Sequence, residues 1–441
     1  MQTNLAPEYK NTADGITAEG ILRKCVHCGF CNATCPTYQL LGDELDGPRG
    51  RIYLMKQVLE GAMPTRKTQL HLDRCLTCRN CETTCPSGVD YGHLVDIGRK
   101  LVDAKVARPA GERALRWALK EGLPSPLFAP AMRLGQTVRG WLPEALKNKV
   151  PARQPAGIWP TRRHPRKVLL LAGCVQPAMR PNINRATARV LDAAGIQTLL
   201  AAGSGCCGAV KFHLDDQDGG KAEMRANIDA WWPYIESGIE ADIASGDDGA
   251  VEAIVMNASG CGVTVKEYGH ILRDDPLYAE KAQRVSALTR DLSELLPDMV
   301  EALRGKLHRS DTVEIGGMRE KREGLNAVGA RLIAFHPPCT LQHGQQLRGG
   351  VEKHLNALGF NIRLSNNEAH LCCGSAGTYS VLNPEIAYQL RDRKLGHLAE
   401  LRPAVIVSAN IGCITHLQSG TATPVRHWVE LLDEALTRPV D

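Results

Sequence analysis

The sequence predicts a multidomain chain, with a helix-rich cysteine module first and two similar α/β lobes of largely parallel strands after it. Three observations carry this. Two cysteine runs of identical spacing lie near the N-terminus. The stretches between and after them place apolar residues at helical intervals. The second half then repeats one strand–cysteine–helix order twice, the mark of an internal duplication.

A chain of 441 residues is too long for one ordinary domain. Charged residues make up 23% and hydrophobic residues 43%, which is globular composition rather than disorder. A net charge of +5 offers no concentrated basic face, so no nucleic-acid partner is expected. The opening MQTNLAPEYK lacks a basic stretch followed by an apolar one, and VLLLAG at 168–173 falls far short of a spanning helix. The expectation is a cytoplasmic chain, peripheral at the inner face of the cytoplasmic membrane through its partners.

The 16 cysteines come in tight groups rather than as scattered staples. In a chain with no sign of export, such grouping reads as metal binding rather than disulfides. The first run is Cys25-V-H-Cys28-G-F-Cys31-N-A-T-Cys35-Pro36; the second is Cys75-L-T-Cys78-R-N-Cys81-E-T-T-Cys85-Pro86. Both read C-x2-C-x2-C-x3-C-P, the run of bacterial two-cluster ferredoxins, in which the fourth cysteine ligates the other cluster. Two [4Fe–4S] clusters are therefore expected, one on Cys25, Cys28, Cys31 and Cys85, the other on Cys35, Cys75, Cys78 and Cys81. Structural zinc fits less well, because it prefers paired C-x2-C elements without a third cysteine in register.

Around these runs, Ile52, Met55 and Leu59 share one helical face, and Leu94, Ile97, Leu101 and Val102 mark another. Residues 1–104 thus form a helical two-cluster ferredoxin domain whose stripes pack over the clusters and exclude water. Residues 105–167 read as a connector with recurrent prolines and a basic end, RRHPRK. Within it, PLFAPAMRLGQTVRGWL has room for an amphipathic helix that docks a partner or membrane, although a solvated linker is the plainer reading.

The lobes are expected at 168–320 and 321–441. VLLLAGCVQP matches RLIAFHPPCT, GCCGAVKFH matches LCCGSAGTY, and AIVMNASGCG matches VIVSANIGC. Helical stretches such as NRATARVLDAAG and EKHLNALGF lie between these landmarks, which implies parallel sheets with ligands at strand ends. The first lobe collects Cys174, Cys206, Cys207 and Cys261; the second collects Cys339, Cys372, Cys373 and Cys413. Gly203-S-Gly205-C-C-Gly208 also spells a dinucleotide fingerprint, but the second lobe keeps only its last glycine, so the cysteine pair is the shared element.

This cysteine layout resembles the CCG domain, found twice in one of the subunits of heterodisulfide reductase. In that family the last element is C-x-x-C; here its first cysteine is replaced by Ala258 in one lobe and Asn410 in the other. Together with the ferredoxin module, the chain is similar to the lactate-utilisation iron–sulfur proteins and to the cluster-bearing subunit of anaerobic glycerol-3-phosphate dehydrogenase. CVHCGFCNATCPTYQLLGDELDGPRGRIYL, HLDRCLTCRNCETTCPSGV, NIDAWWP and HLCCGSAGTY look like the glycolate oxidase iron–sulfur subunits in particular. That resemblance implies an electron-transfer subunit of an oxidoreductase complex. A flavin-containing partner subunit would oxidise glycolate to glyoxylate, and electrons would leave towards a quinone-type acceptor.

Three readings of the lobes stay open: further iron–sulfur clusters, reactive or quinone-facing thiols, or reduced structural cysteines. The alternative functions are a thiol–disulfide centre like that of heterodisulfide reductase, disfavoured by the broken C-x-x-C, or the equivalent subunit of a lactate or glycerol-3-phosphate dehydrogenase. His213, His336, His343 and His370 are candidate ligands or proton donors, each more simply a structural histidine. Trp231 and Trp232 are expected in core or interface packing.

Overall fold

The computed structural model describes residues 1–143, 147, 150–244, 251–307, 312–315, 318–321 and 331–437. The rest of the connector and most of the junction between the lobes lie outside the described residues.

The four longest helices of the first module are Ala13–Lys24, Pro48–Leu59, Arg66–Asp73 and Tyr91–Lys105. Their starts follow from local chemistry. The Thr12 hydroxyl accepts from the Gly15 amide at 3.0 Å, Pro48 occupies a first-turn position, and Thr65 and Thr68 form a reciprocal capping box. Ile52, Met55 and Leu59 turn inward against Leu22, Leu72, Leu94 and Val95. Each such side chain, fully buried, stabilises by about 1.5–3 kcal/mol. Leu101 is only half-buried at the rim of this core, while Leu94, Ile97 and Val102 are inside it.

The connector holds helices Ala110–Gly122 and Phe128–Thr137, neither of which buries a residue. Its root is fixed by charge. Arg108, almost wholly buried, pairs with Asp73, Asp103 and Glu112 and reaches Asp215 of the first lobe at 3.1 Å.

In the first lobe, β1 (Arg166–Leu170), β2 (Ile196–Leu199), β3 (Ala253–Met256) and β4 (Thr289–Asp291) form a parallel sheet in the order β2-β1-β3-β4. Both faces are covered, so the strands read as continuous apolar runs. Val168, Leu170, Ala253 and Val255 face one core, and Leu169, Ile254 and Met256 face another. A short antiparallel hairpin, β5 (Thr312–Ile315) and β6 (Met318–Lys321), precedes the second lobe. There β7 (Ile333–Phe335), β8 (Ile362–Leu364), β9 (Val405–Ser408) and β10 (Val425–His427) repeat the pattern, in the order β8-β7-β9-β10, again parallel.

The lobes share one core. Helix Asn182–Ala193 of the first packs on helix Trp428–Thr437 of the second, and Arg189 closes the seam by donating to Asp433 at 2.6 and 2.7 Å. Among the described residues no helix is long and apolar enough to cross a membrane.

Candidate metal centres

All sixteen cysteines are free thiols. In each ferredoxin-type run the first cysteine follows a helix: the amides of Cys25 and Cys75 bond back to Leu22 and Leu72, both at 3.1 Å. The loops then turn through two left-handed residues each, His27 and Gly29 in the first run, Thr77 and Arg79 in the second. Non-glycine residues held there cost about 1–3 kcal/mol each, a strain that the fold supports because it swings three sulfurs to one side. Short helices Phe30–Ala33 and Asn80–Thr84 follow, and the fourth cysteines come after them in extended conformation, Cys85 ending the second and Cys35 opening the next helix, Pro36–Leu41.

Cys25, Cys28, Cys31, Cys81 and Cys85 line one cavity with Gly29, Arg49 and Tyr91. Burial, then the Cys25 and Cys85 thiols, push Cys31 up to about 11. Cys28 is exposed beside the exposed side chains of Val26 and Phe30. The other set lies deeper. Burial pushes the thiols of Cys78 and Cys81 well up, with Cys35 and Cys75 among the neighbours that add to it. The Tyr91 hydroxyl donates to Cys75 Sγ at 3.6 Å.

Two buried guanidinium groups flank this second set, and sequence pattern did not single them out. Arg51 donates to the His71 carbonyl at 2.7 Å and pairs with the fully buried Asp46 at 3.4 Å. Arg99 donates to the carbonyls of Leu72 and Cys75 at 2.8 and 2.6 Å. Burial opposes both charges, yet Cys75 and the neighbouring acidic groups hold both pKa values above the usual range. A buried cation needs compensating negative charge. Two such cations beside four convergent thiols suit thiolates that bind iron.

In each lobe four sulfurs neighbour one another in the same order. Cys206 links Cys174 to Cys207, which meets Cys261; Cys372 links Cys339 to Cys373, which meets Cys413. Hydrogen bonds with Cys174 and Cys207 draw Cys206 far below the usual thiol range. All eight follow the C-terminal ends of sheet strands, where parallel sheets gather ligands. Gly208 and Gly374 adopt φ of +88° and +87°, and an added Cβ would meet Gly220 O at 2.7 Å and Ala387 O at 2.4 Å. Only glycine fits there. Nothing crowds Gly205, and the helix after Gly208 runs only Ala209–His213, so the glycine pattern serves the cysteine turn.

The second lobe also touches the ferredoxin-type module. Leu76 packs with Cys339, Cys372 and Tyr379, and Cys78 lies against this cluster. The first lobe meets the module through Arg79, which donates to Glu267 at 2.9 Å, and through His93 stacked on His270 at 4.0 Å.

The candidate histidines divide. His213 pairs with Asp96 at 3.2 Å, and His343 bridges the Thr83 hydroxyl and the His370 carbonyl at 3.0 and 2.9 Å. His336 is buried with neither ring nitrogen hydrogen-bonded among the described residues, and one of them lies with the sulfurs of Cys373 and Cys413 within 4.8 Å of one another. Leaving a buried polar group unsatisfied costs about 1–3 kcal/mol. Trp231 is fully buried against Tyr268, and Trp232 lies under Lys281.

Paired four-cysteine runs on a helical scaffold, joined to two parallel-sheet lobes that each gather four thiols, define an iron–sulfur electron carrier. Residues 21–89 match the 4Fe-4S dicluster domain, and residues 168–266 and 333–418 match the cysteine-rich domain. The chain is 52% identical over 440 residues to the glycolate oxidase iron-sulfur subunit of Escherichia coli (strain K12), covering 99% of this chain and 100% of that one. It is 28% identical to the probable glycolate oxidase iron-sulfur subunit of Bacillus subtilis (strain 168), covering 94% of this chain and 91% of the relative. Lactate utilization protein A of Bacillus licheniformis matches at 25% over 57% of this chain and 90% of its own length. The chain belongs to the glycolate oxidase iron–sulfur subunit family. It carries two [4Fe–4S] clusters and transfers electrons.

Proposed function

We propose that this chain is the electron-transfer subunit of a multisubunit glycolate-oxidising complex. It accepts electrons from a flavin-containing subunit that oxidises glycolate to glyoxylate and passes them towards a quinone-type acceptor. Cys25, Cys28, Cys31 and Cys85 hold one cluster; Cys35, Cys75, Cys78 and Cys81 hold the other. Each bound cluster takes up and releases single electrons.

The observation that carries this reading is the succession of thiol groups through the molecule. One set opens to the surface at Cys28, the next is buried, and Cys78 of that set packs against Cys339 and Cys372. Val26 and Phe30 give the surface end an apolar rim suited to a partner subunit. Arg51 and Arg99 offset thiolate charge at the buried set, and the helical core keeps water from it. The second-lobe thiols then continue the line, by binding further iron–sulfur clusters. The connector exposes Trp117, Leu127, Leu134 and Trp141, a surface that fits a peripheral position on partner subunits at the inner face of the cytoplasmic membrane.

Anaerobic mixing tests the proposal. The isolated chain should not oxidise glycolate with a dye acceptor, whereas glycolate and the flavin partner together should bleach its iron–sulfur absorption. Glycolate oxidation by the chain alone, or no bleaching in the assembled complex, would overturn it.

A further inference from the structure

We propose that the imidazole of His336 is a fifth protein donor to an iron–sulfur group held by the second lobe, a donor that the first lobe lacks. The inference rests on the reading that this lobe binds iron. His336 is 1% exposed, and its two nitrogens have no hydrogen-bond partner among the described residues. Other buried histidines nearby are committed. His427 donates from Nε2 to the Asn257 carbonyl at 2.9 Å and accepts the Val429 amide on Nδ1 at 3.1 Å. His416 bonds the Ala387 carbonyl at 3.1 Å. His336 instead lies with the sulfurs of Cys373 and Cys413, its nitrogens directed to no other acceptor. Imidazole and thiolate are both common ligands for iron.

The duplication supplies an internal comparison. His336 follows β7 as Leu171 follows β1: their amides donate to Val407 and Val255 carbonyls at 2.8 and 3.3 Å, equivalent positions on β9 and β3. The first lobe therefore has an apolar side chain where the second has a donor. The position that C-x-x-C would fill offers no replacement. Asn410 accepts the Gly412 amide at 2.9 Å and donates to Ser259 Oγ at 3.3 Å, so it caps a helix and joins the lobes. Charge differs likewise. Seven residues beyond the carbonyl that each CCG glycine touches stand Asn227 in the first lobe and the buried Lys394 in the second. Besides the thiols of Cys373 and Cys413, the charged or titratable side chains that act on His336 are Lys394 and His416, from neighbouring helices. Four thiols, one imidazole and a buried ammonium make the second centre a different ligand field from the first.

The test uses the full chain, purified without air, with histidine labelled by ¹⁵N or left natural. Pulsed EPR of the reduced protein should show a histidine nitrogen coupling that changes on labelling and disappears in His336→Leu, the residue type of the first lobe. His336→Cys should restore a thiolate donor, retain iron and lack the coupling, which covers the case where His336→Leu does not fold. Iron per chain separates the two possible failures. About eight irons, four for each ferredoxin-type site, would remove the lobe reading and this inference together. More than eight with no histidine coupling, or with coupling unchanged in both variants, would overturn His336 alone.

Discussion

The hydroxyls of Thr34 and Thr84 meet at 3.1 Å, although the two residues lie in different cysteine runs. Each directly precedes the fourth cysteine of its run, so their contact lies where the proposed ligand sets would exchange Cys35 and Cys85. It is the local reason that Cys85 reaches the cavity of Cys25, Cys28 and Cys31.

Exchange of this kind predicts a shared phenotype. Cys28→Ser and Cys85→Ser should remove the same cluster, and Cys78→Ser with Cys35→Ser should remove the other. EPR of each reduced variant distinguishes them; matching loss in Cys85→Ser and Cys78→Ser would contradict the exchange.

The buried cations predict a potential. Arg99→Gln keeps a hydrogen-bond donor near the Cys75 carbonyl but removes a charge beside the second set. Its cluster should become harder to reduce, by on the order of 60 mV, the one-electron equivalent of about 1.4 kcal/mol. Redox titration followed by EPR reads the shift, and an unchanged potential would show that the charge is screened.

Glycine substitutions separate the two meanings of the Gly203–Gly208 pattern. Gly208→Ala should destabilise by on the order of 2 kcal/mol, because its φ is left-handed and backbone stands where Cβ would go. Gly205→Ala should be close to neutral in denaturant unfolding, since nothing lies within 4 Å of its added Cβ.

Acid should loosen the contact between the first lobe and the ferredoxin-type module. Burial, then the stacked His93, hold His270 down to about 4, below its ordinary value near 6.5. At His270 the unfolded chain therefore binds more protons than the folded one across that window, so this group's share of stability rises with pH and is lost on descent from about 6.5 to 4, opposed by His93, which Glu267 holds above its ordinary value against burial. Glu267, held down to about 2 by His93 and Arg79 against the cost of burial, yields only at lower pH. Thermal unfolding at pH 7 and pH 5 should fall less in His270→Gln than in the unaltered chain.

Spacing and repetition made much of this architecture legible in the chain itself. The two C-x2-C-x2-C-x3-C-P runs specify loops, the stripe at Ile52, Met55 and Leu59 specifies a core face, and the matched landmarks specify two parallel sheets. All three are local signals. Arg51 and Arg99 escaped notice because an arginine in a helix reads as exposed until tertiary packing closes over it. The pairing of Arg79 with Glu267 spans 188 residues, beyond any periodic pattern. The isolation of His336 also depends on what is absent around it, which sequence does not encode.

The joint between helices Asn182–Ala193 and Trp428–Thr437 bears on how the protein is made. A ribosome delivers the first lobe long before the helix that covers one side of it, so that lobe emerges with the apolar face of helix Asn182–Ala193 open. Until the last helix docks, that face stays open to wrong partners, so the final stretch of the chain guards against misassociation of a lobe made long before it.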